Sequence, residues 1–213
     1  MHNAMHCEMN GHELVALAHL SPNPEVAEPD SYMFQSVGTE LIHAYGECMR
    51  LPIFIRTITG SSVDIDKDYK PVHESGDEVE DLFELLSQVK HEFDGLQAVS
   101  VGAILSNYQR VRIENVCERL GLTCLSYLWM RDQNNLIGEM IMCGMNAVVV
   151  KVACLGLDSR HLGLDLIGIR NRLQALDRRI GVNMCGEGGE YETMTLDCPI
   201  FKSRIILYAC INN

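Results

Sequence analysis

Residues 98–129 read AVSVGAILSNYQRVRIENVCERLGLTCLSYLW, and this stretch decides the fold class. It opens as an apolar run of strand length, Ala98–Leu105. Ser106 and Gln109 then stand in the S-x-x-Q spacing of a capping box. Ile113, Val116, Cys117 and Leu120 recur at helical spacing, and Gly121 supplies the left-handed residue that ends such a helix. A second β-rich run, Cys124–Trp129, follows. Strand, capped helix and strand in so short a span form a crossover unit that joins parallel neighbours.

The same alternation runs outward in both directions. Helical stripes are marked by Val37, Leu41, Tyr45 and Cys48, and by Val79, Leu82, Phe83, Leu86, Val89 and Phe93. Ser75 and Glu78 precede the second of these in S-x-x-E spacing. Leu136, Ile137, Met140 and Ile141 mark another, ended by Gly144. Leu166, Ile169, Leu173, Leu176 and Ile180 mark the last, ended by Gly181. Strand-like runs are Leu14–Leu20, Pro52–Ile58, Ala147–Ala153 and Ile205–Tyr208. Several are apolar on both faces, as strands covered by helices on each side must be. The expectation is an α/β fold with a mostly parallel sheet. Its ligands should sit beyond the strand ends, after Leu20, Ile58, Leu105 and Ala153. A soft boundary falls at Leu105–Ser106. Two long loops, Ser21–Asp30 and Thr59–Asp77, have the length of functional or flexible segments. Residues Met1–Asn10 read as the end of a helix, so the strand that ordinarily opens such a sheet is expected to be missing.

Composition narrows the function classes. A formal net charge of −12 disfavours a general nucleic-acid binder. No stretch approaches the ~20 apolar residues of a membrane helix, and the first residues form no secretory or transit signal. The nine cysteines include no C-x-x-C pair and lie mostly in apolar periodic stretches, which reads as reduced thiols in a cytoplasmic protein. His2, His6, Cys7 and His12 give no closed four-ligand spacing, so no metal site is taken from them.

Four stretches can carry chemistry. Cys185–Thr193 sets three glycines among Glu187, Glu190 and Glu192, beside Tyr191. Converging carboxylates are costly unless a cation or donor group sits there, though a solvated glycine turn explains the composition about as well. Gly102–Arg112 runs from a strand end into a helix start, where free N–H groups favour anions and Arg110 and Arg112 add donors. An ordinary turn with paired arginines is the bland alternative. The acids of Gly76–Asp81 are what a helix dipole favours at its start, with Mg²⁺ binding a minority reading. Lys151, near the end of an apolar strand, either contacts an anion or extends to the rim.

Taken in order, Asp30–Gln35, Gly76–Leu82, Ser100–Arg110, Lys151–Ala153, Cys185–Thr193 and Leu196–Pro199 resemble the diphthine–ammonia ligase family, a branch of the PP-loop ATP pyrophosphatases. The likeness covers nearly the whole chain, and the glycine–glutamate stretch is its most specific part. The resemblance implies an adenine-nucleotide α-hydrolase-like fold of Rossmann-like type, with residues 1–105 as a truncated nucleotide-binding α/β domain and 106–213 as a smaller C-terminal α/β substrate-binding part. It implies ATP, with Mg²⁺, as cosubstrate and ammonium as nitrogen donor. The protein substrate would be elongation factor 2 carrying diphthine, which becomes diphthamide with release of AMP and pyrophosphate. No nucleic acid or membrane partner is implied. By this resemblance Glu187, Glu190, Glu192 and Arg110 are the expected catalytic residues. Gly186, Gly188, Gly189, Tyr191, Thr193, Asn107, Tyr108 and Gln109 are expected to bind substrate. Ala18, Leu20, Tyr32, Met33, Gly102, Ala103, Leu105 and Lys151 are expected around the nucleotide. The carboxylates with the Tyr191 face suit the trimethylammonium group of diphthine.

Two departures accompany the likeness. Family members open with a strand and a Ser-Gly-Gly-Lys-Asp-Ser loop around the ATP phosphates, which this sequence does not contain. Asn107 stands where the family usually shows Asp. The resulting expectation is a shortened isoform or an incomplete gene reading, with an open sheet edge, a marginal fold and weak ATP binding. Two further readings compete: a binding protein that keeps the pocket without phosphate chemistry, and a tRNA-modifying PP-loop enzyme, which the acidic charge disfavours.

Overall fold

The computed structural model describes residues 1–23, 33, 38, 41–63, 69 and 76–207. The elements alternate as the sequence pattern requires: α1 (His2–Met9), β1 (Leu17–Ser21), α2 (Ile42–Met49), β2 (Ile53–Thr57), α3 (Glu78–Glu92), β3 (Ala98–Ser100) and α4 (Asn107–Leu120). They continue with β4 (Thr123–Leu125), α5 (Gln133–Met142), β5 (Asn146–Val152), a 3₁₀ turn (Ser159–His161), α6 (Leu166–Ile180) and β6 (Tyr191–Asp197). Strands β1 and β2 pair in parallel, from Leu17↔Ile53 to Ser21↔Thr57. Strands β3 and β4 also pair in parallel, from Ala98↔Thr123 to Ser100↔Leu125. The architecture is therefore α/β with helix-linked parallel pairs. The third pair, β5 with β6, is antiparallel and shifts register between Val149 and Lys151.

Helix α3 forms because its apolar residues fall on one face: Val79, Leu82, Leu85, Leu86 and Val89 are all buried. They meet Leu20 of β1 and Val116 of α4 in one core cluster. A larger cluster joins α5, β5 and α6 through Ile137, Val149, Ile169 and Leu173. A small third cluster of Ile104, Leu128 and Leu136 lies beneath the β3–α4 turn.

The helix ends largely follow the sequence signals. The Ser106 side chain accepts from the Gln109 N–H at 3.3 Å, and Gly121 closes α4 at φ 63. Gly181 closes α6 at φ 70. Helix α3 is capped differently from the S-x-x-E expectation. Asp77 is the cap, accepting from the Val79 N–H at 2.9 Å, because it stands directly before the first helical residue. Ser75 and Val37 lie outside the described residues.

Three strand expectations change. The Cys124–Trp129 run is extended only to Leu125; beyond it the chain turns so that Leu128 enters the third cluster, and Met130 is left-handed at φ 59. The Ala98–Leu105 run leaves the strand after Ser100. Residues 205–207 form no strand, although the Ile205 N–H donates to the Leu196 carbonyl at 2.8 Å; Tyr208 lies outside the described residues. Strand β6 was not expected at all, since its first residues read as the end of a glycine loop.

Asn3 seats α1 on the β3–β4 pair. Its amide donates to Ser100 Oγ at 2.8 Å and to the Leu125 carbonyl at 2.7 Å, and its oxygen accepts from the Tyr127 N–H at 2.8 Å. Among the described residues, no helix is long and apolar enough to cross a membrane.

Candidate functional site

The glycine–glutamate loop and the β3–α4 turn meet. Glu187 reaches across to the turn and takes the Ile104 N–H at 2.6 Å and the Leu105 N–H at 2.7 Å, one on each carboxylate oxygen. Two adjacent main-chain amides in the turn just before the Ser106 cap of α4 form an anion seat, and a carboxylate of the chain itself fills it. Ile104 is buried and its carbonyl accepts from Met130 N–H at 2.8 Å, so the seat is held from below. Gly102, just before it, faces open space.

The loop is folded by its glycines and by two residues that sequence reasoning passed over. Gly186 has φ 73, and a Cβ there would lie 2.6 Å from the Tyr191 carbonyl oxygen, so no other residue fits. Gln133, buried at the first position of α5, accepts from the Cys185 N–H at 2.9 Å and donates to Asn183 Oδ1 at 3.2 Å. Asn183 in turn donates to Glu190 Oε1 from its main chain at 3.0 Å and its side chain at 2.7 Å. A glutamine directly after an Asp132 cap, on an otherwise apolar face, was the available signal for Gln133. Burial, then the nearby Glu187 charge, pushes the Cys185 thiol up to about 12.

Glu190 and Glu192 are each left with one oxygen unpaired. Their Oε2 atoms are buried and have no hydrogen-bond partner among the described residues. Glu192 is also tied to Lys151 across the β5–β6 pair, Nζ to Oε1 at 2.8 Å. Lys151 thus makes an anion contact, with the Glu192 carboxylate. Thr193 follows on β6 opposite Val149. Gly188 and Gly189 are exposed at the loop tip.

Tyr191 sits otherwise than its proposed role as an aromatic receptor required. It is 5% exposed within the larger core, and its hydroxyl donates to the Met184 carbonyl at 2.6 Å. Burial, with the Cys185 and Glu190 charges, raises its pKa well above the ordinary phenol value. The ring supports the loop from beneath and offers no face to a ligand.

Helix α4 carries the second half of the site. Arg110 lies over the Trp129 ring, 4.4 Å from its centre, and donates to Asn107 Oδ1 and Glu114 Oε1, each at 3.2 Å. Asn107 therefore serves as an acceptor that orients this guanidinium. Gln109 Nε2 donates to the Met33 carbonyl at 3.4 Å, linking α4 to one described residue of the 30–35 stretch; Tyr32 lies outside the described residues. Arg112, offered as an anion donor by the sequence, is fully buried. Its guanidinium stacks on Tyr108 at 3.4 Å and near Tyr69 at 4.8 Å, so it braces the fold and does not reach a ligand in solution.

The acids at the α3 start are absorbed by the structure. Asp81 accepts from the Thr59 and Gly60 N–H groups at 2.7 and 2.9 Å, from the Thr59 hydroxyl at 2.9 Å and from Arg56 Nε at 3.2 Å. Burial alone would raise its pKa, but the Gly60, Thr59 and Arg56 donors outweigh it and hold the carboxyl below its ordinary value. Glu80 takes both terminal nitrogens of Arg119, at 2.7 and 2.8 Å. Of the residues expected around the nucleotide, Ala18 and Leu105 are exposed, whereas Leu20 and Ala103 are buried beneath the strand ends.

Comparison with known proteins follows this geometry. Residues 2–124 match the profile described as Diphthamide synthase N-terminal domain, and residues 132–210 match that described as Diphthamide synthase C-terminal domain. The diphthine–ammonia ligase of Danio rerio is 53% identical over 210 residues, covering 97% of this chain and 81% of that protein. The Homo sapiens enzyme of the same name is 51% identical, covering 97% of this chain and 78% of that protein. The Schizosaccharomyces pombe protein is 48% identical over 205 residues, 96% of this chain but 34% of its own length. Both halves match, in order and over nearly the full chain, and the chain belongs to the diphthamide synthase family.

Proposed function

We propose that this chain is an ATP-dependent amide ligase that converts diphthine on elongation factor 2 to diphthamide, with ammonium as nitrogen donor. The observation that carries the reading is the Glu187 bridge, which makes one site of the glycine–glutamate loop and the β3–α4 turn. Family membership and the names of the relatives support the reaction class.

The residues present suit the reacting groups. An anion seat of main-chain amides, already fitted with a carboxylate, has the chemistry to receive a phosphate or a substrate carboxylate. ATP, with Mg²⁺, would supply the activation: the diphthine carboxylate would take the AMP group with release of pyrophosphate, and ammonia would then displace AMP to give the amide. Ala18, Leu105 and Gly102 border the nucleotide, Leu20 and Ala103 support it from within, and Met33 completes that side. Arg110, aimed by Asn107 and by Trp129, stabilises negative charge developing near the α4 start. The buried, unpaired oxygens of Glu190 and Glu192 receive N–H donors, the natural place for ammonium. A carboxylate that takes one proton from ammonium leaves ammonia free to attack. Glu187 and the exposed tip at Gly188–Gly189 face the fixed cation of diphthine, while Tyr191, Tyr108 and Gln109 hold the two segments in place.

The test is reconstitution: this chain with diphthine-bearing elongation factor 2, ATP, Mg²⁺ and ammonium, and mass spectrometry of the modified-histidine peptide. Acid-to-amide conversion by the wild type, abolished in Glu190→Gln with the fold intact, is the expected result. Normal turnover by Glu190→Gln would sink the assignment of that residue. No conversion by a folded wild type would sink the activity for this chain.

A further inference from the structure

His2, His6, Cys7 and His12 make no closed four-ligand spacing in the sequence. The fold supplies the missing partner. His2 and His6, one turn apart on α1, bring their Nε2 atoms to 3.3 Å from each other. Glu139 of α5 brings Oε1 to 2.9 Å from His6 Nε2 and to 3.4 Å from His2 Nε2. We propose that His2, His6 and Glu139 form a binding site for one Zn²⁺ ion, with water taking the fourth position once Arg131 Nη1, 3.3 Å from His6 Nε2 and Glu139 Oε1, turns aside.

The spacing is the first argument. Ligands about 2.0–2.1 Å from a tetrahedral zinc lie roughly 3.3 Å from one another. Two edges of the triangle, 3.3 and 3.4 Å, match this, and the third, 2.9 Å, needs a shift of a few tenths of an ångström by the half-buried carboxylate. The ligand set, two imidazoles and one carboxylate, is that of open zinc sites.

The surroundings are the second argument. Arg131 holds the other oxygen of Glu139, Nη2 to Oε2 at 2.5 Å, which fixes the carboxylate with Oε1 toward the imidazoles. Its Nη1 lies 3.3 Å from both Glu139 Oε1 and His6 Nε2. If His6 Nε2 carries a proton for Glu139, that proton and the Arg131 donor crowd the same nitrogen. If it does not, it accepts from Arg131, and a single proton on His2 Nε2 is all that lies between the two imidazoles and the carboxylate. A cation at the centre of the triangle takes the place of that proton and of the Arg131 donor. The Asn3 bonds to Ser100, Leu125 and Tyr127 fix the rotation of α1, so both imidazoles are already aimed. His2 is 5% exposed, which leaves little freedom to move away.

None of these residues belongs to the glycine–glutamate loop or the β3–α4 turn, so the zinc is a clip between α1 and α5, distinct from the proposed ligase site. The experiment is a Zn²⁺ titration of the chelator-treated full chain against a chromophoric competitor. One equivalent should bind. Loss of an outer-shell partner alone typically weakens metal sites 10–100-fold, so His6→Gln and Glu139→Gln should each weaken binding by about 100-fold or more. His43→Ala, an exposed histidine on α2, should leave it unchanged. Binding equal in the wild type, His6→Gln and Glu139→Gln, or no binding at all, overturns the proposal. Co²⁺ loading of the wild type gives a reading independent of variant folding: the intense visible bands of a four-coordinate ion support the site, and the pale spectrum of hydrated Co²⁺ refutes it.

Discussion

Replacing Glu187 by Ala tests the bridge on which the site rests. The change removes a carboxylate that accepts two main-chain N–H groups at 2.6 and 2.7 Å. A hydrogen bond to a charged group contributes about 1.5–3 kcal/mol where water cannot replace it. The two amides differ in this respect. Leu105 is 49% exposed, so water takes over its N–H and that loss falls below this range, to about 1 kcal/mol. Ile104 is 5% exposed and packed against Leu128 and Leu136, so its amide stays dry and its loss is about 2 kcal/mol. The sum, about 3 kcal/mol, divided by a urea slope of about 3 kcal/mol/M for a chain of this size, moves the unfolding midpoint down by about 1 M. Glu187→Gln should fall about halfway. The amide oxygen keeps one N–H, but its NH₂ meets the other donor head-on. Hydrogen exchange at the Ile104 amide should accelerate in both variants. A midpoint shift under about 0.2 M in Glu187→Ala, with the Ile104 amide still protected, would refute the bridge as a structural link.

Asp81→Asn should cost about 2–4 kcal/mol by urea unfolding, since four donors converge on a buried carboxylate; a cost under about 1 kcal/mol would contradict the network. Because the folded-state pKa of Asp81 is depressed, its stabilisation is full above about pH 4 and is lost as pH falls toward that lower value. The wild-type melting temperature should therefore drop below about pH 4 more steeply than that of Asp81→Asn, and parallel curves would refute the assignment. Asn3→Ala should destabilise by about 2–3 kcal/mol, because it strips the Tyr127 N–H of its partner, leaves the Leu125 carbonyl with only the Val101 N–H, and loosens α1. Thermal unfolding within about 1 °C of wild type would show that α1 is seated by other contacts.

Much of the fold was legible because its helices obey one strong rule. Val79 to Val89 and Leu166 to Leu176 each bury a stripe at helical spacing, with Ile180 left exposed at the end of the second, and Ser106, Gly121 and Gly181 punctuate as their chemistry demands. The cap of α3 was misjudged because the sequence offered Ser75 and Asp77 together, and spacing alone favoured the serine. Strand β6 was hidden by its own composition. Glu192, Thr193, Thr195 and Asp197 make it polar, and a register shift against β5 breaks the simple alternation that betrays a strand. The carboxylates of the site were visible as a cluster, but not their fates. Nothing local says that Glu187 spans to Ile104, that Glu192 pairs with Lys151, or that Tyr191 turns inward. Gln133 and Glu139 were silent for the same reason: each acts on a segment far along the chain, through a fold that must exist before the contact does.

The Glu187 bridge ends on main-chain atoms, and this bears on how such a sequence can diverge. Any residue with an N–H presents the same donor at position 105, whose side chain points largely to solvent. Position 104 is limited only by the space beside Leu128 and Leu136. Drift at either position leaves the bridge untouched, and proline alone, lacking the N–H, erases it. The burden of keeping the two halves joined thus falls on one acidic residue, while its partners are free to wander in identity without ever breaking the link.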